Sequence, residues 1–211
     1  MKSYFPKLRR VDPEQSLKTP TQRRSRANNI KRFVRSKRWP RRFNSYVGKM
    51  RGTPVQLPQP NYKYVLWSWL GAFLAIATTG YSSAIAHAPM LIAPFGATCV
   101  LAFAAPESPL AQPRNIIGGH CLATLIGLTC LHVFGSDAWV MALAVATAIG
   151  CMQLTHTLHP PAGADPLVII MTGASWKFFW TPVFTGSILL VLCAVVFNNL
   201  ADDRKYPKYW L

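Results

Sequence analysis

The sequence is short of acids. Only seven Asp and Glu stand against 23 Lys and Arg, for a formal net charge of +16. The shortage is local: 18 of the 23 bases lie in residues 1–63, opposed only by Asp12 and Glu14. Residues 64–211 carry five bases and five acids. A basic leader is therefore joined to a nearly charge-free body. Cysteines number five (Cys99, Cys121, Cys130, Cys151 and Cys193), all within apolar runs and none in a CxxC pair. That pattern gives no secreted disulfide framework and reads as buried free thiols acting as small hydrophobes. Neither GxSxG nor HExxH occurs, so an intramembrane enzyme built on His156, His159 and Asp165 ranks low.

The leader, residues 1–60, shows no sustained apolar periodicity and lacks the apolar run of a secretory signal. Its composition is that of a disordered or weakly helical tail. The bases from Arg23 to Arg51, with Phe33, Trp39, Phe43 and Tyr46 among them, suit an anionic partner. Nucleic acid would want a folded reader or a stacking platform, and neither is visible. Anionic membrane lipid explains the charge more simply, because a membrane-length run follows at once. An Arg- and Ser-rich, acid-poor leader also fits an organelle transit peptide.

The body, residues 61–211, predicts an all-α polytopic transmembrane helical bundle. Four long apolar runs cover 64–86, 116–134, 139–158 and 182–200, and each is long enough to span. Tyr64, Trp67 and Trp69 at the first, and Trp176, Phe178, Phe179 and Trp180 before the last, resemble interfacial belts. Two short segments lie between the long runs: 89–105, interrupted by Pro94, and 167–172 behind Pro160, Pro161 and Pro166. The basic leader places the N-terminus in the cytoplasm, and Arg204, Lys205 and Lys208 favour the same side for the C-terminus. Four crossings with two re-entrant segments satisfy this, as do six crossings. Arg114 falls on the cytoplasmic side only with six, and that charge argument leans toward six.

A weak internal repeat supports the pairing of the short segments. Pro94-x-Gly96-Ala97 recurs in the second half as Pro161-x-Gly163-Ala164, and at the same offset Gly119 meets Gly186. Paired, proline-interrupted segments in corresponding halves point to a transporter's binding site.

The stretch Thr155–Pro166 concentrates the polar and helix-breaking residues of the body. Such residues are costly at membrane depth and persist where they line a cavity or are buried in protein. The prolines at 94, 160 and 161 predict helix starts near Gly96 and Gly163. The amides of those starts would cradle a small anion, with Thr98 donating its hydroxyl. The alternative is that these prolines only break helices at the surface. His156 and His159, three apart, would share a helical face with Gln153. Proton coupling, anion binding and a structural hydrogen bond are all open to them. No third ligand accompanies them, so neither a metal nor a cofactor is expected. Asp165 would pair with His159 in a proton-coupling role, or cap the following helix. Arg114 would attract anions, pair with Glu107 or anchor topology, and His120 is a further candidate.

The chain resembles the HPP family of integral membrane proteins, named for the tripeptide found here at His159-Pro160-Pro161. A second block matches as well: Ile92 to Thr98, Phe103 to Pro109, Gln112-Pro113-Arg114-Asn115 and Gly118-Gly119-His120. The resemblance covers about residues 62–200 and leaves the basic tail outside. It implies a four-helix membrane protein, and members from cyanobacteria and chloroplasts are implicated in nitrite transport. The expectation is then a small-anion transporter, nitrite first, in a bacterial inner membrane or a chloroplast envelope. Few helices for a pathway suggest a homo-oligomer. The competing reading is a scaffold that acts through its basic tail. This chain carries Asp165 where the family mostly has a small or hydroxyl residue, so the anion should avoid that carboxylate unless it is protonated or turned away.

Overall fold

A computed structural model describes residues 41–50, 59 and 61–210. The chain divides into two units, residues 1–59 and 60–211. In the first, the described residues form helix α1, Arg41–Met50, with Tyr46, Val47 and Met50 exposed. The expectations for residues 1–40, 51–58 and 60 lie outside the described residues.

In the second unit every described element is helical. Helix α2 runs Tyr62–Ala86, with Asn61 accepting from the Lys63 amide at its start and His87 in a left-handed conformation (φ 48°) at its end. Helix α3, Pro94–Cys99, opens on proline and widens into a π-turn over Val100–Ala104. A 3-10 turn, Pro109–Ala111, leads into α4, Pro113–Phe134. Helix α5 covers Ala138–Leu154. A second 3-10 turn, Pro160–Ala164, runs into α6, Asp165–Thr172. The wide turn Phe179–Phe184 then feeds α7, Thr185–Asn199.

Proline places these boundaries for a simple reason. It has no N–H to lose in a first turn, but cannot sit deeper without breaking a bond. Pro94 therefore starts α3, in keeping with the helix start expected near Gly96, and the apolar segment 89–105 is helical only from Pro94 onward. The predicted span 139–158 also ends early, at Leu154, because His156 turns left-handed (φ 56°). His156 and His159 consequently do not share a helical face. Among the described residues, three stretches are long and apolar enough to cross a membrane: α2, α4 and Phe179–Asn199. Helix α5, at 17 residues, is a shorter apolar helix. Hydroxyls on the outer surface bond back to their own helix: Thr129 to the Leu125 carbonyl and Thr172 to that of Val168, each at 2.7 Å. In lipid no water would satisfy them.

The two halves pack through glycine. A Cβ at Gly119 of α4 would lie 2.9 Å from the Thr157 carbonyl oxygen and 2.8 Å from His159 Cβ. At Gly186 of α7 it would collide with the Met90 carbonyl oxygen and the Phe95 ring. Gly127 in turn faces Pro166 Cα at 2.8 Å. The first two contacts are reciprocal. Gly119 and Gly186 stand at the repeat offset, and so do Met90 and Thr157. Each long helix thus rests on the loop before the other half's short helix.

The C-terminal segment is held by Arg204, which is 7% exposed. Its guanidinium donates to the Phe103 carbonyl (2.9 Å), Asn198 Oδ1 (3.1 Å), the Tyr64 carbonyl (3.2 Å) and Ser68 Oγ (3.1 Å), and it stacks over the Tyr64 ring. Four acceptors around one planar fork are what lysine cannot satisfy. Arg204→Met should therefore cost about 3–5 kcal/mol, because it strands buried acceptors and removes the ring contact. Thermal unfolding in detergent checks this, and Arg204→Lys should recover only part of the loss.

Candidate buried polar site

The prolines and glycines bring three segments together at one place. Thr98 comes from α3, His120 from α4, and His159 from the loop before α6, with Asp165 opening α6. Thr98, His120, His159 and Asp165 are all 0% exposed. They form one chain. Asp165 Oδ2 lies 2.7 Å from His120 Nδ1. His120 Nε2 lies 2.8 Å from Thr98 Oγ1, which lies 2.9 Å from His159 Nε2. His159 Nδ1 then donates to the Leu110 carbonyl at 2.7 Å. The two imidazoles stand edge to face, 5.0 Å between centroids, and Phe95 caps His120 edge-on at 5.1 Å.

Local chemistry explains why this loop can hold a buried histidine. The start of α4 anchors it from the other side. Arg114 Nη2 donates to the Thr155 carbonyl and Asn115 Nδ2 to the Leu158 carbonyl, both at 2.9 Å. Gly118 and Gly119 let Thr157 and His159 approach the helix. The loop is therefore fixed by donors that satisfy its free carbonyls and by the absence of two side chains. Gln112 does the same for the proline-rich loop. It is fully buried, donates to the Pro106 and Ser108 carbonyls, and accepts from the Lys208 amide.

The candidates named from sequence do not all meet. Pro94 and Pro161 are buried beside the chain, but Gly96 and Pro160 are exposed and Gly163 is half-buried. The Phe95 and Gly96 amides are already donated to the Ile92 and Ala93 carbonyls, and the Ala162 amide to that of His159. These three amides are committed to the tight turns that open the two short segments. His156 is exposed and apart from the cluster. Asp165 pairs with His120, not with His159 as expected, because its carboxylate opens α6 on the side facing α4. Arg114 holds a loop carbonyl, while Glu107 pairs with Lys208 at 3.0 Å. Sequence reasoning also missed Thr124, whose hydroxyl lies 3.5 Å from Asp165 Oδ2, one helical turn beyond His120.

An all-helical bundle with membrane-length apolar helices and an enclosed Asp–His–Thr–His chain defines an integral membrane protein with a polar core. The chain belongs to the HPP family: the family model for the HPP transmembrane region matches residues 57–207. It is similar to two transmembrane proteins of Dictyostelium discoideum. One is 36% identical over 180 residues, which is 80% of this chain and 62% of the relative. The other is 34% identical over 180 residues, 80% of this chain and 58% of the relative. The chain thus spans about three fifths of the length of these curated relatives. No solved structure matches it.

Proposed function

We propose that the protein carries a small inorganic anion across a membrane, with nitrite the anion that the family resemblance suggests. One observation carries the reading: two imidazole Nε2 atoms converge on one hydroxyl, at 2.8 and 2.9 Å, inside a closed apolar bundle. Buried ionisable groups in a membrane protein are expensive and mark pathways by default. Imidazole N–H groups supply positive or partially positive donors for an oxyanion without the permanent trap of an arginine. Thr98, His120 and His159 form the anion site in this reading, and Asp165 holds His120 in place.

The reciprocal glycine contacts supply the means of movement. Two halves at a fixed offset, each a long helix, a proline-started short helix and a long helix, are read as internal copies. The polar chain lies where the short helix of the first half meets the turn that opens the short helix of the second. Rocking one half against the other would open it to alternate sides. The basic leader would bind anionic lipid, and a homo-oligomer of such bundles would complete the assembly.

The test is nitrite uptake by cells lacking other nitrite systems. His159→Ala and His120→Ala, at normal membrane expression, should each lose at least about tenfold, the scale of a charge-assisted hydrogen bond. Deletion of residues 1–55 should leave uptake largely intact. The reverse pattern, silent histidine variants and an inactive deletion, would instead establish the scaffold.

A further inference from the structure

We propose that the Asp165–His120–Thr98–His159 chain takes up one proton with each anion, so that the two cross together as a neutral unit. This rests on the transport reading above and adds the coupling. The Leu110 carbonyl can only accept, so His159 Nδ1 carries a hydrogen. With His159 neutral, its Nε2 is bare and Thr98 donates to it. Thr98 oxygen then accepts from His120 Nε2–H. One proton remains between His120 Nδ1 and Asp165 Oδ2, and the chain carries no net charge.

One more proton fits without moving a heavy atom. It forms an N–H bond at His159 Nε2, which becomes a donor. Thr98 keeps its own proton but must turn it elsewhere, and a second acceptor is present: the Pro94 carbonyl, 3.3 Å from Thr98 Oγ1. Both Nε2–H groups then donate to the Thr98 oxygen. No other bond forms or breaks, and the net charge becomes +1. Thr98 is thus a two-position switch, with a histidine on one side and a carbonyl on the other. Asp165 Oδ1 is fully enclosed and has no hydrogen-bond partner. It offers a second resting place, so the proton belongs to the chain as a unit and not to one residue.

A lone positive charge in an apolar core is costly, and an anion beside it cancels that cost. Proton and anion therefore favour each other reciprocally. The surroundings offer little else to balance the charge. Helix α4 contributes the free thiol Cys121, and α3 contributes Cys99, which lies in an apolar cluster with Cys193 of α7. The Pro109–Ala111 turn presents carbonyls, Leu110 to His159 and Ala111 to the Tyr206 hydroxyl. Arg114 donates to the Thr155 carbonyl and Arg204 to Phe103, Asn198, Tyr64 and Ser68.

The full chain in proteoliposomes, with an internal pH dye and a potassium–valinomycin voltage clamp, tests this. Nitrite is added outside, and the leak of nitrous acid through protein-free vesicles is subtracted. The expected result is one proton taken up per nitrite at any imposed voltage. Thr98→Ser should keep that ratio, and Thr98→Val should lose roughly ten- to a hundredfold in flux. Nitrite flux that follows voltage without proton uptake overturns the coupling and leaves the transport reading standing. No nitrite flux in the unaltered protein overturns both. If Thr98→Val does not elute as a folded species, His159→Gln is measured instead. Its amide can donate to Leu110 but cannot take up the proton, so unchanged coupling in that variant overturns the proposal.

Discussion

Asp165→Ala should destabilise the membrane body by about 3–5 kcal/mol, the scale of breaking a buried charged pair from one side. The carboxylate is wholly enclosed and sits 2.7 Å from His120 Nδ1. Its removal leaves that nitrogen facing a void, and also takes away the acceptor nearest Thr124. The helix that starts at Asp165 would lose the acid in its first turn as well, worth about 0.3–1 kcal/mol. Asp165→Asn separates shape from charge. Its amide N–H can donate to His120 Nδ1, which is bare while Nε2 carries the hydrogen, so the fold should survive with a smaller loss. Coupling should not survive, because the amide cannot exchange a proton with the imidazole. Unfolding in detergent, followed by tryptophan fluorescence, reports the first effect, and protons taken up per nitrite report the second. An Asp165→Ala variant within about 0.5 kcal/mol of the parent, the usual scatter of surface substitutions, would show that the pair does not lie in a closed core.

The second large effect should come from the two reciprocal glycines. Gly119→Val and Gly186→Val should each cost about 3 kcal/mol, the upper end of the range for overpacking a core. Most overpacked sites relax by turning a side chain. Here the new atoms would meet the Thr157 carbonyl oxygen in one case and that of Met90 in the other. Backbone cannot turn aside, so the helix must move away from the loop. The two variants should differ in function. Gly119→Val also strikes His159 Cβ at 2.8 Å and so displaces the polar chain directly, whereas Gly186→Val strikes the Phe95 ring. Gly150→Ala is the control, since a Cβ there meets nothing within 4 Å. Equal stability of Gly150→Ala and Gly119→Val would refute the close approach of α4 to this loop.

The HPP stretch illustrates how far local reasoning reaches. His159-Pro160-Pro161 stands out in the sequence because proline and histidine are rare at membrane depth. That argument needs no neighbour, and it picks out the segment that supplies His159 and Asp165 to the buried chain. It does not find the partner. His159 and Asp165 are close in sequence, and intramembrane acids seek a nearby base, so pairing them is the natural expectation. The imidazole instead reaches Leu110 and Thr98, 49 and 61 residues away, while Asp165 reaches His120, 45 residues back. The amides at the helix starts are bounded by a related limit. Proline marks where a helix begins, but whether its first amides stay free depends on the turn before it. Here the chain folds back through Ile92 and Ala93 and uses them.

By itself the sequence determined the membrane-length runs, their breaks at proline and the separation of a basic leader from an apolar body. These are properties of composition and of single-residue geometry, and they hold wherever the segment lies. The internal offset that relates Pro94 to Pro161 and Gly119 to Gly186 belongs here too, because identity at a fixed spacing is visible in one dimension. Only the tertiary structure decided which polar groups meet. That depends on the rotation of α4 about its axis and on the closeness that Gly119 and Gly127 allow against the second half. Among the described residues it also selected Thr98 as the bridge between two histidines. A hydroxyl has one hydrogen, and its role follows from which acceptors surround it.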